Sequence, residues 1–153
     1  MREFASDEFH FRLKYPADWL VPQKPIGGAV FSARTPALGP KDARFGVVGL
    51  RIDQGPQNRS DHDTLMELSA AMAGYVFNHG GKKVTIRPDQ LGGLPARRVR
   101  FISDEPSGPI ATMYVVAVKH RIEYVFSIAA PAEKFDELLP EVEAMLKSFE
   151  VLD

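Results

Sequence analysis

Two strongly β-prone runs, residues 110–118 and 122–129, are separated by only Lys119, His120 and Arg121. A connection this short joins antiparallel neighbours, because a parallel crossover needs a dozen or more residues. A β-hairpin therefore anchors the last third of the chain, and its partners must come from the rest.

Those partners are legible as period-2 patterns. Phe9, Phe11, Leu13 and Tyr15 alternate with His10, Arg12 and Lys14, which predicts a strand with one buried face. Pro16 stops it, and Pro16-Ala17-Asp18-Trp19 reads as a turn that delivers Trp19 into the core. Residues 29–33 and 45–52 are further strands, with a Pro- and Gly-rich loop over 35–42 between them. Gly46 and Gly49 mark a bulge or a close backbone approach in the second of these. Residues 84–87 and 95–102 flank a turn at Gly92-Gly93, and residues 104–109 form a turn or exposed loop.

Two segments carry helical spacing instead. Leu65, Leu68, Met72 and Val76 recur at three and four residues, and Gly80-Gly81 supplies a stop. Ser60, Asp61, Asp63 and Thr64 all offer N-caps, and Thr64 with Glu67 fits a capping box. Near the end, Phe135, Leu138, Leu139, Val142, Met145, Leu146 and Phe149 form an apolar stripe. Pro140 cannot donate the hydrogen bond a helix interior requires, so the spacing predicts two short helices divided there. The element order is β-β-β-α-β-β-β-β-α. Consecutive strands with short connections pair antiparallel, and both helices must bury their stripes against the sheet. The expected fold is α+β: an antiparallel sheet of about six to seven strands flanked by helices, as one domain over residues 1–153.

Composition narrows the chemistry. The 153 residues are 44% hydrophobic and 25% charged, with no cysteine. A core is within reach without staples, and disulfides, thiolate metal sites and cysteine nucleophiles are excluded. The net charge of −1 gives no basic excess to draw the chain to nucleic acid or anionic lipid. No apolar run is long enough for a transmembrane segment. The polar start, residues 1–8, has no signal-peptide core. As written the chain is expected in the cytoplasm, or at the periplasm and envelope if a leader precedes it.

Catalytic and metal motifs are weak. Asp61-His62-Asp63 has the residue types of a carboxylate–imidazole metal site, but adjacent helical residues diverge, and acidic caps at a helix start explain them better. His10, His79 and His120 are scattered and read as solvated side chains. No G-x-S-x-G nucleophile elbow is present, and Ser127 reads as a strand residue. The pairs Gly27-Gly28, Gly80-Gly81 and Gly92-Gly93 do not extend into phosphate-binding patterns. No catalytic residue, metal site or cofactor is assigned. The densest basic cluster is Arg97, Arg98 and Arg100, a candidate anion or partner site on a strand face. The competing reading is a solvated or helix-covered face paired with Asp and Glu.

The segment from Phe9 to Trp19, with its aromatic strand, Tyr15-Pro16 and Trp19, resembles the opening of PsbP-like domains. Leu91-Gly92-Gly93-Leu94-Pro95-Ala96 is similar to that family's Gly-x-Pro-Ala hairpin. Tyr114-Val115-Val116, Tyr124-Val125-Phe126-Ser127, Ala130-Pro131, Phe135-Asp136 and Met145-Leu146-Lys147-Ser148-Phe149 follow the family's usual order. The resemblance implies an antiparallel sheet with helices against it, as in photosystem II extrinsic subunits and DcrB-type bacterial lipoproteins. It also implies binding of another macromolecule rather than catalysis, and it transfers no active site. The expected function is thus a non-enzymatic accessory domain with a protein partner. The alternatives are an Eag-type secretion chaperone that shields apolar helices of an effector, and a carrier of a small ligand or metal.

Overall fold

The computed structural model describes residues 1–36 and 46–153. Most of the loop expected over 35–42, and the start of the strand expected from residue 45, lie outside the described residues.

The predicted hairpin is the spine of the fold. β7 (Gly108–Lys119) and β8 (Ile122–Pro131) pair antiparallel from Lys119↔Ile122 to Ile110↔Pro131. His120 and Arg121 turn between them with φ of 51° and 64°. Two successive positive φ values match the right-handed twist of the flanking strands. Asp61 secures the turn by accepting both backbone N–H groups, at 3.0 and 2.9 Å.

β3 (Phe31–Arg34), β4 (Val47–Gln54), β5 (Lys82–Leu91) and β6 (Leu94–Glu105) extend this pair into a six-stranded antiparallel sheet of order β3-β4-β8-β7-β6-β5. Of the bulge or close approach expected at Gly46 and Gly49, no bulge interrupts β4, whose register with β8 runs unbroken from Val47↔Ala129 to Gln54↔Ile122, whereas Gly46 is a close approach, where a Cβ would lie 2.7 Å from Leu138 Cδ1. The irregularity falls instead between Lys82 and Thr85 on the edge strand β5, where Lys83 has a φ of 52°. Of the turn or exposed loop expected over 104–109, the turn is present but tighter: β6 and β7 pair out to Glu105↔Gly108, leaving only residues 106–107 to turn.

Three more strands form a second, small sheet. β1 (Arg2–Ser6) pairs with β2 (Phe11–Tyr15), and β9 (Glu150–Val151) flanks β2 on its other side. The strand expected from Phe9 begins at Phe11. His10 lies in the turn before it with a φ of 55°, and Phe9 is outside the strand.

α1 (Asp61–Asn78) and α2 (Phe135–Ser148) cover opposite faces of the large sheet. Ser60, not Thr64, caps α1: its hydroxyl accepts the Asp63 N–H at 3.0 Å. Thr64 lies a turn further in, buried and without a hydrogen-bond partner for its hydroxyl, while Glu67 pairs with Arg59 rather than closing a capping box. α2 is one continuous helix with Pro140 inside it, contrary to the expected break. Pro140 is exposed, so the carbonyl it leaves without an N–H partner faces water, and the stripe of Phe135, Leu138, Val142, Met145 and Leu146 is buried on the other side.

The main core lies between that stripe, the large sheet and β2. Phe11, Phe31, Phe126, Phe135 and Phe149 are all fully buried there, and Trp19 joins them as expected. Phe149 meets Phe126 and Tyr124 edge-on at 5.4 and 5.6 Å. A smaller cluster on the opposite face packs Leu65 of α1 on Val116 and Val118 of β7.

Candidate partner-binding surface

Alternation along β6 divides the three candidate arginines. Arg98 and Arg100 face α2, whereas Arg97 faces the side on which α1 packs. Arg97 is half-buried, and its Nε is buried without a hydrogen-bond partner. It does not share a site with the other two.

Arg98 sits between two carboxylates. Its Nε donates to Asp89 at 2.8 Å, and its guanidinium also donates to Glu143 of α2. Burial by itself would lower the Arg98 pKa, but the hydrogen bond to Glu143 and the attraction of Asp89 outweigh it and hold it above the usual guanidinium value. Arg100 donates to Asp136 at 3.0 Å and lies 4.5 Å above the Phe135 ring, a cation–π contact at the first residue of α2. The reading of these residues as a helix-covered, carboxylate-paired strand face therefore describes Arg98 and Arg100 well.

The same face holds two cations that sequence reasoning did not assign. Arg87 pairs across the ladder with Arg98, and Lys83 lies at the bulge beyond Thr85. Both are exposed, and among the described residues neither makes an ion pair. Lys83, Thr85, Arg87, Arg98, Arg100 and Ile102 line a cleft of about 430 Å³ beside α2. Its lining holds four cations and no carboxylate; Arg98 and Arg100 are paired outside it with Asp89, Glu143 and Asp136. Such a cleft can take carboxylate or phosphate oxygens from a partner.

Elsewhere the candidate residues disperse. Asp61 is engaged by the β7–β8 turn, while His62 and Asp63 are exposed. Among the described residues no three His, Asp or Glu side chains converge to hold a metal. His120 lies in the hairpin turn, and Ser127 is a half-buried residue of β8. No helix among the described residues is long and apolar enough to cross a membrane.

No family model matches the sequence, and no curated protein matches it in sequence. Solved structures do match it in shape, and they define the fold as PsbP-like. The solution structure of cyanobacterial PsbP (CyanoP) from Synechocystis sp. PCC 6803 superposes with a TM-score of 0.68 at 13% identity, over 98% of this chain and 91% of that one. LpqN of Mycobacterium tuberculosis, described as involved in cell envelope biogenesis, superposes at 0.67 and 15% identity, over 99% and 91%. The Ran-binding protein Mog1p of Saccharomyces cerevisiae follows at 0.60 and 11% identity, over 99% and 95%. At these identities the likeness is one of fold alone.

Proposed function

We propose that the chain is a non-enzymatic accessory domain that binds a protein partner, and that an acidic segment of the partner docks in the cleft between β5, β6 and α2. The observation that carries this is the uncompensated charge of Lys83 and Arg87. Arg87 lies opposite Arg98 on the ladder, and Arg98 already has Asp89 and Glu143 as partners, which leaves Arg87 available to another anion. A left-handed, non-glycine backbone at Lys83 is a local cost at the same place. Both features place exposed cations on one surface, as a site for negative charge requires. The Ran-binding neighbour is consistent with a protein-binding use of this fold.

The test compares capture from native lysate by the wild type, by Lys83→Glu/Arg87→Glu, and by a charge-matched control, Arg2→Glu/Lys24→Glu. A partner held by the wild type and the control, lost from the cleft variant and weakened by salt, is the expected result. Equal capture by all three would remove the cleft from the function.

A further inference from the structure

A second concave feature lies on the other face of the sheet, beneath the second half of α1. The first half of that helix is seated: Leu65 packs on Val116 and Val118, with Leu68 and Met72 half-buried beside Tyr114 and Val125. Further along, Tyr75 and Phe77 stand 65% and 70% exposed, an unusual outlay of aromatic surface on one helix. Between this half of α1 and β6–β7 lies a cavity of about 470 Å³, within the ~300–1,000 Å³ of small-molecule sites.

The lining specifies an occupant. Rings dominate it: Phe101 and Tyr114 meet at 5.9 Å, and Tyr75 stacks on His79 at 3.9 Å with 20° between planes. Met72 adds a polarisable thioether, and such walls favour a planar aromatic guest in offset contact. The polar groups include the Tyr75 and Tyr114 hydroxyls, which can donate or accept, and two side chains with acceptor capacity. His79 Nδ1 lies 2.7 Å from the Tyr75 carbonyl, which can only accept, so Nδ1 donates, and in the Nδ1–H tautomer Nε2 is an acceptor. Ser103 Oγ donates to Glu105 at 3.3 Å and keeps its lone pairs. Neither lysine nor arginine lines the cavity, so it offers no lysine or arginine cation to pair with a fatty-acid carboxylate.

We propose that this cavity binds a small aromatic molecule bearing a hydroxyl or ring N–H donor, such as a phenol, a naphthol or an indole. The donor points to His79 Nε2 or Ser103 Oγ, and the ring lies against Tyr114 and Phe101. This site is separate from the basic cleft and does not depend on it.

The experiment is a titration with 2-naphthol, followed by fluorescence and by thermal unfolding. It uses the wild type, Ala71→Trp and His79→Phe, with naphthalene and decanoate as comparison ligands. Ala71 is an exposed helix position that lines the cavity, so tryptophan there fills the space without entering the core. The expected result is saturable binding of 2-naphthol to the wild type and at least a tenfold loss in Ala71→Trp. His79→Phe should weaken 2-naphthol severalfold but leave naphthalene unchanged, and decanoate should not compete. Absence of saturation in the wild type, or equal binding by Ala71→Trp at an unchanged melting temperature, overturns the proposal. If 2-naphthol fails and a captured protein is lost from Ala71→Trp, the cavity receives a partner's side chain and the small-molecule reading is wrong.

Discussion

Arg87 and Arg98 oppose each other across β5 and β6, yet only Arg98 is neutralised, by Asp89 and Glu143. Asp89 and Glu143 offset the charge of Arg98, so Arg87 faces a carboxylate-flanked partner rather than a bare cation.

Replacing the exposed Arg87 with threonine, a β-prone residue, should change stability by no more than about 0.5 kcal/mol in urea denaturation while weakening capture of the partner. A variant less stable by more than this would mean that Arg87 contributes to the fold itself.

The β5–β6 turn should discriminate between its two glycines. Both have positive φ, 56° at Gly92 and 85° at Gly93. A Cβ on Gly92 would sit 1.8 Å from the Phe149 carbonyl oxygen, whereas one on Gly93 would meet nothing within 4 Å. Gly92 also donates its N–H to the Leu146 carbonyl at 3.0 Å, tying the turn to the end of α2. Gly93→Ala should cost about 1 kcal/mol from backbone conformation alone. Gly92→Ala should cost about 3 kcal/mol or more, because backbone must move. Equal losses in equilibrium unfolding would show that the turn does not lean on α2.

Glu123 should leave a mark on the pH dependence of stability. Burial, and then the charge of Asp53 opposite it on β4, raise its carboxyl above the ordinary value of 4.5. The native state thus holds this proton more tightly than the unfolded chain does. Its contribution is fully present below the ordinary value and is lost as pH rises through the higher folded value. Glu123→Gln should flatten the stability profile in that window and be the more stable protein above it. Parallel profiles from denaturation at a series of pH values would assign the pH response to other groups.

Much of the partner cleft was within reach of the sequence. A two-residue turn at Gly92-Gly93 sets Leu91 opposite Leu94, and counting outward places Arg87 opposite Arg98 and Thr85 opposite Arg100. The alternation of Lys83, Thr85 and Arg87 with Val84 and Ile86 puts the extra cations on one face. What counting could not reach was the bulge at Lys83, since an inserted residue on an edge strand leaves no local pattern.

Local periodicity determined the hairpin at His120-Arg121, the buried stripe of Leu65, Leu68, Met72 and Val76, and the antiparallel α+β class, because those signals involve residues within one or two turns of each other. Tertiary contacts decided the rest. β1 pairs with β2, and two-residue β9 exists only as a flank of β2. α2 runs through Pro140 because its buried stripe against the core outweighs one lost hydrogen bond facing water. Which arginine is neutralised, and where a cavity opens under α1, depend on groups brought together from distant parts of the chain. Charge compensation and packing gaps are properties of those meetings, and no segment carries them alone.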